Sequence, residues 1–219
     1  MNFKNILSTV NIVNNEQKIG MILGTHNSAT GGKLMWWLKP LAWIINPTSK
    51  CQDKTIADQL ADGVKVFNLQ VAKIGGKWKF THGLAIYKED FFDTLSLMQL
   101  CASVKEPIYF QLYNDKCFWT KRDLKEFEQL VEYVRKNYCN SYFIMQSAWF
   151  EGSDVYPHKS NCNLQLEEHY WTLSWSKNNA KSWIDKLPLP KRHAKKYNNK
   201  YKKECTKQYL MLDFYDIDN

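Results

Sequence analysis

The sequence lacks an apolar run long enough to cross a membrane. A spanning helix needs roughly 18 or more consecutive apolar residues, and the apolar stretch at 34–45 is interrupted by Lys39 and Pro40. The N-terminus carries Lys4 and a few apolar residues, but Asn and Ser break any core of the kind that an export signal has. We therefore expect a soluble protein, cytoplasmic or peripheral to a membrane, that is not exported through its own signal.

The sequence also lacks paired cysteines of the Cys-x-x-Cys type, although it contains six cysteines. An even count is no evidence for disulfides in a chain of this size. His158, Cys162 and His169 lie near one another in sequence, but their spacing fits no common zinc pattern. We expect buried thiols that act as small apolar side chains, and we expect no metal and no cofactor.

There is no internal repeat and no linker that would separate a second domain. With 219 residues, 44% apolar and 15% aromatic, the chain can build one core. Short β-branched runs alternate with helical stretches, which favours βα units around a parallel sheet. The prediction is an α/β fold over residues 1–219, a single small (β/α) barrel of the TIM type, incomplete or distorted. Its predicted strands are 19–23, 64–71, 78–81, 107–113, 142–146, 170–175 and 209–214, and its predicted helices are 55–62, 91–103, 120–138 (capped by Thr120) and 178–186.

Positive charge is present and is concentrated in one segment. The formal net charge is +8, and residues 186–207 contain nine Lys or Arg against one Glu. One interpretation is a solvated helix or loop before the last strand. The other is attraction to an anionic surface, where each basic residue near a membrane contributes on the order of 1 kcal/mol. Tyr197 and Tyr201 are interleaved, but no nucleic-acid motif is recognisable, so nucleic acid is not the expected partner.

Two histidines each follow an apolar run. His26 lies in Leu-Gly-Thr-His-Asn-Ser and His82 in Lys-Phe-Thr-His-Gly. A histidine just beyond a short buried strand points to the rim of a barrel, and two of them supply the pair of proton carriers that phosphodiester cleavage needs. A structural role for each ring is the alternative. Other polar residues are predicted at the same mouth, where strands end: Asn68, Gln70, Tyr113 and Asp213.

These segments resemble the X domain of phosphatidylinositol-specific phospholipase C, especially its compact bacterial-type members. The resemblance rests on a series of ordered motifs within residues 19–85 and on a closing strand near residue 210. The motifs are Gly24-Thr25-His26-Asn27-Ser28, Cys51-Gln52, Lys54-Thr55-Ile56, Gln59-Leu60, Gly63-Val64, Phe67-x-Leu69-x-Val71, His82-Gly83 and the closing Leu210-Met-Leu-Asp-Phe214. Residues 86–208 match only loosely.

The resemblance implies a reaction and roles within it. In the family the inositol 2-hydroxyl attacks the neighbouring phosphorus, a cyclic phosphate forms and diacylglycerol leaves. By position, His26 is the implied general base and His82 the implied general acid. Asp213 is the implied carboxylate that orients an imidazole, and Asn27 can orient a ring but cannot stabilise an imidazolium by charge.

The phosphate-facing positions depart from the family pattern. The strand that reads Phe-Asp-Leu-Arg in bacterial members is Phe67-Asn68-Leu69-Gln70 here. Calcium-dependent relatives have carboxylates where this chain has Asn68, Gln70 and Tyr113, so no calcium site is expected. Lys79 or Lys73 could bring a cation, although a regular strand points Lys79 away from His82.

Two functions therefore stay open. The first is a phosphodiesterase of the phosphatidylinositol phospholipase C class with altered phosphate-binding residues, Asn68, Gln70, Tyr113 and Lys79. The second is an inactive relative that binds a phospholipid headgroup or an inositol phosphate. Residues 35–44 contain three Trp beside Lys39, which suits either a membrane interface or rings that cap the barrel. Peripheral contact with an anionic membrane through 35–44 and 186–207 is the expectation that follows.

Overall fold

The computed structural model describes residues 22–115, 123–150, 189–204 and 209–217. These residues form seven strands and five α-helices. The strands are β1 (Ile22–Thr25), β2 (Val66–Ile74), β3 (Lys77–His82), β4 (Ala85–Asp90), β5 (Ile108–Asn114), β6 (Phe143–Phe150) and β7 (Tyr209–Leu212). The helices are α1 (Ala42–Ser49), α2 (Ile56–Ala61), α3 (Phe91–Cys101), α4 (Asp123–Asn137) and α5 (Pro190–Glu204), with 3₁₀ helices at Ser28–Gly31 and Trp36–Leu41.

The strands form one curled sheet, a half-barrel. Five of them run parallel in the order β7-β1-β2-β5-β6. Beyond Val71, where β1 has ended, β2 pairs with β3 instead, and β3 pairs with β4, both in antiparallel fashion. The α/β barrel-type fold predicted from the sequence is therefore confirmed, and the β3–β4 hairpin is an addition to it.

The two faces of the parallel strands have different contents. Every second residue of β2 from Phe67 to Val71, namely Phe67, Leu69 and Val71, lies on one face and belongs to the large core beneath the helices. The intervening positions begin with Val66, which packs with Tyr109 and Met211 in a second, smaller core. Because side chains alternate between faces, Asn68 and Gln70 continue the face that Val66 begins.

The inner face of the half-barrel thus changes character along the strands. Near the amino ends it is apolar, and two and four residues further along β2 and β5 it carries Asn68, Gln70, Gln111 and Tyr113, all buried. Buried amides and phenols cost free energy unless they form hydrogen bonds, so this polar layer needs internal partners. The layer lies at the carboxyl ends of the strands, which is the face where barrels of this type build their sites.

Close packing also explains one glycine of the first motif. A Cβ at Gly24 would lie 3.0 Å from side-chain atoms of both Met211 and Val66. β1 is held between β2 and β7 at this level. Glycine lets the three strands approach closely just before the chain reaches His26.

Most predicted elements are confirmed with shifted ends. α2 begins with a capping box: the Thr55 hydroxyl accepts from the Asp58 N–H, and the Asp58 side chain accepts from the Thr55 N–H. The chain turns at Gly63, whose φ is +85°. In α4 an apolar stripe is buried at Phe127, Leu130, Val131 and Val134.

Some predicted boundaries were wrong. β1 extends to Thr25 and β5 to Asn114, whereas β7 stops at Leu212, so Asp213 follows the last strand rather than lying in it. β4 was not predicted, because its length depends on pairing with β3 rather than on a strong apolar pattern of its own. The predicted strand at 170–175, the helix at 178–186, Thr120, and the cluster of His158, Cys162 and His169 lie outside the described residues.

No helix within the described segments is long and apolar enough to cross a membrane.

Candidate active site

His26 is held where β1 ends. Its backbone N–H donates to the Leu212 carbonyl oxygen at 3.1 Å, which continues the β1–β7 pairing by one residue. Its Nδ1 lies 2.9 Å from Oδ1 of Asp213, which is buried. A carboxylate can only accept, so Nδ1 carries the proton and Nε2 is the basic nitrogen of the neutral ring. This is the arrangement that a general base requires.

His82 is held by a different kind of acceptor. Its Nδ1 lies 2.7 Å from the carbonyl oxygen of Ser49, at the end of α1. A carbonyl oxygen accepts, so here too Nδ1 carries the proton and Nε2 is the nitrogen that exchanges one. The Tyr87 hydroxyl donates to the same carbonyl at 3.3 Å. The carbonyl fixes the ring orientation but carries no formal charge that would stabilise an imidazolium.

The two imidazoles lie together. Their ring centroids are 6.2 Å apart and their planes are nearly perpendicular, at 81°. Both side chains are half-buried, so both are open to the mouth of the half-barrel. Residues 56 positions apart in sequence are therefore neighbours in the fold.

Asn27 holds the loop between β1 and the following 3₁₀ helix. Its φ of 44° lies in the left-handed region, which Asn adopts more readily than most residues. Its side-chain oxygen accepts from the Tyr113 hydroxyl. Its Nδ2 lies 3.1 Å from Nε2 and 3.4 Å from Nδ1 of His26. The Asn27 amide is therefore within hydrogen-bonding distance of Nε2, where it can orient the ring.

The amides of the polar layer are engaged with each other. Asn68 accepts from the backbone N–H of Asn27 at 3.2 Å and donates to the Gln111 side chain at 3.2 Å. The Gln70 side-chain oxygen lies 3.2 Å from the Tyr113 hydroxyl oxygen. Three of the four predicted phosphate-binding residues, Asn68, Gln70 and Tyr113, thus form one buried network. Through Asn68 and Tyr113, which both hydrogen-bond to Asn27, this network supports the loop that follows His26.

Lys79, the fourth, lies in β3 opposite Ala72 of β2 and three residues before His82. The structure gives it no contact with either histidine. Lys73 is engaged elsewhere, because its Nζ lies 3.0 Å from Oε1 of Glu126 on α4.

The Cys51-Gln52 motif joins the ends of the two adjacent strands. The Gln52 amide donates to the carbonyl oxygens of both His26 and Leu212, at 2.9 and 2.8 Å. The backbone N–H groups of Cys51 and Gln52 both donate to the Thr30 hydroxyl. Gln59 continues this bracing from α2, accepting from the Thr25 hydroxyl and donating to the Ser28 carbonyl oxygen. These contacts fix the backbone on both sides of His26.

Sequence reasoning overlooked the position of the Cys51 thiol. Its Sγ lies 3.7 Å from Nδ1 of His82 and 3.7 Å from Nδ2 of Asn27, so it sits between the two histidines. Burial, and secondly the negative charge of Asp213, raise the pKa of the Cys51 thiol well above its usual value. The thiol is therefore protonated and is not a nucleophile in this setting.

Two further buried groups at this end of the sheet were also missed. Asp115 directly follows β5 and is almost fully buried. Burial, together with nearby acidic groups that include Asp115, raises the pKa of the Tyr87 hydroxyl. Both residues lie in segments where the family resemblance is loose, and only the fold brings them to the mouth.

The sequence matches no protein-family model and no curated protein. Solved structures do match. A phosphatidylinositol-specific phospholipase C from Listeria monocytogenes is 12% identical with a TM-score of 0.56, over 90% of this chain and 89% of that one. Two variants of the phosphatidylinositol-specific phospholipase C from Staphylococcus aureus are 12% and 13% identical, with TM-scores of 0.52 and 0.56, over 92% of this chain and 88% and 87% of theirs. At this level of identity the likeness concerns the fold, and the chain has a fold like that of the bacterial phosphatidylinositol-specific phospholipases C.

Proposed function

We propose that the protein is a phosphodiesterase of the phosphatidylinositol-specific phospholipase C type. The observation that carries this proposal is the pair His26 and His82, 6.2 Å apart at the mouth, each held in one tautomer by a partner on Nδ1. Further support comes from the fold shared with solved structures of bacterial phosphatidylinositol-specific phospholipases C. Their substrate, phosphatidylinositol, is the substrate class that we propose here.

The proposed reaction needs one proton taken and one given. Nε2 of His26 removes the proton of the inositol 2-hydroxyl as its oxygen attacks phosphorus. The bond from phosphorus to the diacylglycerol oxygen breaks, and Nε2–H of a protonated His82 supplies the proton to that oxygen. Asp213 stabilises the imidazolium that forms on His26, whereas the Ser49 carbonyl holds His82 without a charge that would retain its proton. General acid–base catalysis of this kind contributes roughly 10²–10⁴-fold.

The groups next to the histidines favour a slow enzyme. Negative charge grows on the non-bridging phosphate oxygens during attack, and cationic stabilisation there is usually a large catalytic contribution. Asn68, Gln70 and Tyr113 provide neutral dipoles only, and they are already engaged: Gln70 with Tyr113, and Asn68 with Asn27 and Gln111. Binding a phosphate through them requires part of that network to rearrange. We therefore expect a rate well below that of relatives with an arginine or calcium in this position.

The same observation favours a second function, a module that binds a headgroup without cleaving it. A pocket of neutral amides can bind an inositol phosphate through hydrogen bonds. The two functions differ in whether product forms, and they agree that inositol phosphates bind at the mouth.

A membrane contact next to the mouth belongs to the proposal. Trp36, Trp43 and Ile44 are 74%, 76% and 52% exposed, an unusual state for such large apolar side chains. α1 contacts α5, which contains seven Lys or Arg. The exposed aromatic rings and the basic helix thus lie side by side. Aromatic rings at the interface and basic charge toward anionic headgroups are complementary to a phospholipid surface.

The test is an assay of purified protein on phosphatidylinositol in mixed micelles, with inositol cyclic phosphate and diacylglycerol as products. We expect slow conversion in the wild type that persists in chelator, and loss of conversion in both His26→Ala and His82→Ala. Lys73→Ala, whose ammonium binds Glu126, is the control that keeps its rate. Titration with inositol 1-phosphate runs in parallel. Binding of inositol 1-phosphate without any product would support the binding module instead of the enzyme. If the protein neither binds inositol 1-phosphate nor forms product, only the likeness in fold remains.

A further inference from the structure

One cluster beneath His26 has a composition that the proposed reaction does not use. A ring nitrogen of His26, the Sγ of Cys51 and a carboxylate oxygen of Asp213 all lie within 4.8 Å of one another. The reaction needs the histidine and the carboxylate but has no use for a thiol. Imidazole, thiol and carboxylate in one place are a ligand set for a metal ion.

The three ligands come from separate, well-held segments. His26 follows β1, Asp213 follows β7, and Cys51 precedes α2. The backbone of Cys51 is fixed at both ends, because its N–H donates to the Thr30 hydroxyl at 2.9 Å and its carbonyl oxygen accepts from the Phe214 N–H at 2.6 Å. Such a cluster is largely formed before any ion arrives, which lowers the cost of binding.

The chemistry of the set selects the ion. Ligand bonds to zinc are about 2.0–2.3 Å long, so ligand atoms around a tetrahedral zinc lie roughly 3.3–3.7 Å apart. The distance between Nδ1 of His26 and Oδ1 of Asp213, 2.9 Å, has to increase slightly. The Cys51 sulfur lies within 4.8 Å of the other two ligand atoms and has to approach them by up to about 1 Å, which a side-chain rotation allows. Calcium and magnesium prefer oxygen ligands, whereas Cys with His favours zinc.

We propose that His26, Cys51 and Asp213 form a zinc site with a fourth position open to the mouth, and that zinc there blocks the general base. On binding, the thiol proton of Cys51 leaves to solvent and the sulfur, one ring nitrogen and a carboxylate oxygen bond to the ion. If Nε2 binds, it has no lone pair for the substrate proton. If Nδ1 binds, the single proton of the neutral ring moves from Nδ1 to Nε2. In either case His26 stops being a base.

The metal site itself does not depend on the proposed function, whereas the inhibition rests on it. Binding is therefore measured first, without substrate. Metal-free protein is titrated with Co²⁺, whose bond to a thiolate gives a charge-transfer band, and with Zn²⁺ in a calorimeter. We expect one ion per chain with a thiolate band in the wild type, and an affinity weaker by about 100-fold or more in Cys51→Ser, by comparison with the 10–100-fold cost of losing an outer-shell partner.

Other cysteines provide the controls. Cys101→Ser removes an exposed thiol of α3, and Cys162→Ser tests the cysteine that lies between His158 and His169 in sequence. Both should keep the band and the affinity. Circular dichroism confirms that Cys51→Ser is folded, and His26→Gln, which keeps the thiol, should lose affinity as well. Unchanged binding in folded Cys51→Ser, a band abolished by Cys162→Ser, or no stoichiometric binding in the wild type would overturn the site.

The inhibition is tested separately with phosphatidylinositol. Zn²⁺ should inhibit wild type at concentrations that match its binding affinity, and the concentration for half inhibition should rise by about 100-fold in Cys51→Ser, in line with the loss of binding. A wild-type protein that binds zinc at these residues but shows no turnover contradicts the proposed function and leaves the site intact. Turnover that zinc does not affect contradicts the block of His26.

Discussion

The mouth of the half-barrel and the surface formed by α1 and α5 differ in charge. At the mouth, the two histidines are surrounded by neutral amides, a phenol and a protonated thiol, with Asp213 as the charged partner of His26. A short distance away, α5 concentrates seven Lys or Arg, and the neighbouring segment exposes Trp36 and Trp43. Within the described segments, this concentration of positive charge therefore lies next to the site rather than in it.

This difference separates two tasks that a lipid-cleaving protein must perform. Reaching an anionic surface depends on exposed charge and interfacial rings, whose contributions add up over many residues. Stabilising a transition state depends on a few charges placed within hydrogen-bonding distance of the reacting group. Under the proposed function, the first task depends on α5 and the exposed Trp side chains, and the second depends mainly on His26, His82 and Asp213.

The largest expected effect comes from the charged partner at the mouth. In Asp213→Asn the amide oxygen can still accept from Nδ1 of His26, but the charge that stabilises the imidazolium is gone and the amide can hold the ring in the wrong tautomer. A comparable change in a catalytic triad costs about 10⁴-fold in rate, and we expect a loss of roughly 10²–10⁴-fold in phosphatidylinositol turnover. Asp216→Asn, three residues further on and exposed, is the control. Equal effects of the two variants would show that Asp213 has no special role.

A second variant introduces a positive charge at the mouth and leaves the outer surface unchanged. Asn68→Asp with Gln70→Arg places a guanidinium in the polar layer together with a carboxylate that can hold it. We expect a weak rate to rise by roughly 10–100-fold, because a fixed cation again faces the phosphate. Asn68→Asp with Gln70→Met is the matched control, since it keeps the carboxylate at position 68 and places a long side chain without a positive charge at position 70. A charged variant that is folded and no faster than this control would show that cationic stabilisation is not what the site lacks.

The sequence predicts the mouth well where side chains follow short-range rules. His26 directly follows β1, Tyr113 lies near the end of β5, and Asn68 and Gln70 lie beside them on β2. The strand pattern was sufficient to bring these residues to one edge of the sheet. The cap of α2 and the apolar stripe of α4 are equally local. Each of these features depends on residues within one or two turns or on strand alternation, which a single sequence displays directly.

Other parts of the site depend on contacts that no local pattern encodes. The partner of His82 is the backbone carbonyl of Ser49, and any residue type at that position presents the same group. The location of Cys51 between the histidines follows from the path of the segment between α1 and α2. The internal pairing of Asn68 with Gln111 follows from the register of β2 against β5. These features required the three-dimensional arrangement of the strands.

A third prediction concerns the outer surface alone. Trp36→Ala with Trp43→Ala removes two exposed rings while leaving the residues of the mouth unchanged. We expect affinity for vesicles rich in phosphatidylserine to fall by about tenfold, since 1.4 kcal/mol is well within the contribution of two interfacial Trp side chains. Sedimentation with vesicles measures it. Leu100→Ala, an exposed apolar residue of α3 that is 84% accessible, is the control. Similar losses in both variants would indicate nonspecific adhesion instead of a defined membrane face.

Turnover of a water-soluble substrate separates the two regions further. With a water-soluble, short-chain analogue of phosphatidylinositol, the double Trp variant should retain its rate, because no surface has to be reached. A comparable loss on soluble and vesicle-bound substrate would mean that the rings support the mouth itself, as caps on the barrel.

The smallest expected effect lies at the point where the two regions meet. Asp53, two residues after Cys51, binds Lys191 of α5 at 2.7 Å and Lys50 at 2.9 Å. Burial by itself would raise the pKa of Asp53, but the hydrogen bonds from Lys191 and Lys50 outweigh it and lower the pKa below the usual value.

A carboxyl whose pKa is lower in the folded state stabilises that state above its unfolded pKa, and the contribution is lost as the pH falls through the folded pKa. Asp53→Asn should therefore reduce the free energy of unfolding at neutral pH, by less than about 1 kcal/mol for so exposed a pair. Thermal melts of wild type and variant from neutral to acid pH should converge as the acid limit is approached, and high salt should reduce the difference at neutral pH. If the difference in melting between wild type and variant stays constant down to the acid limit, Asp53 acts through packing. The buried residues Ala194 and Asn198, and not this ion pair, would then hold α5 beside the mouth.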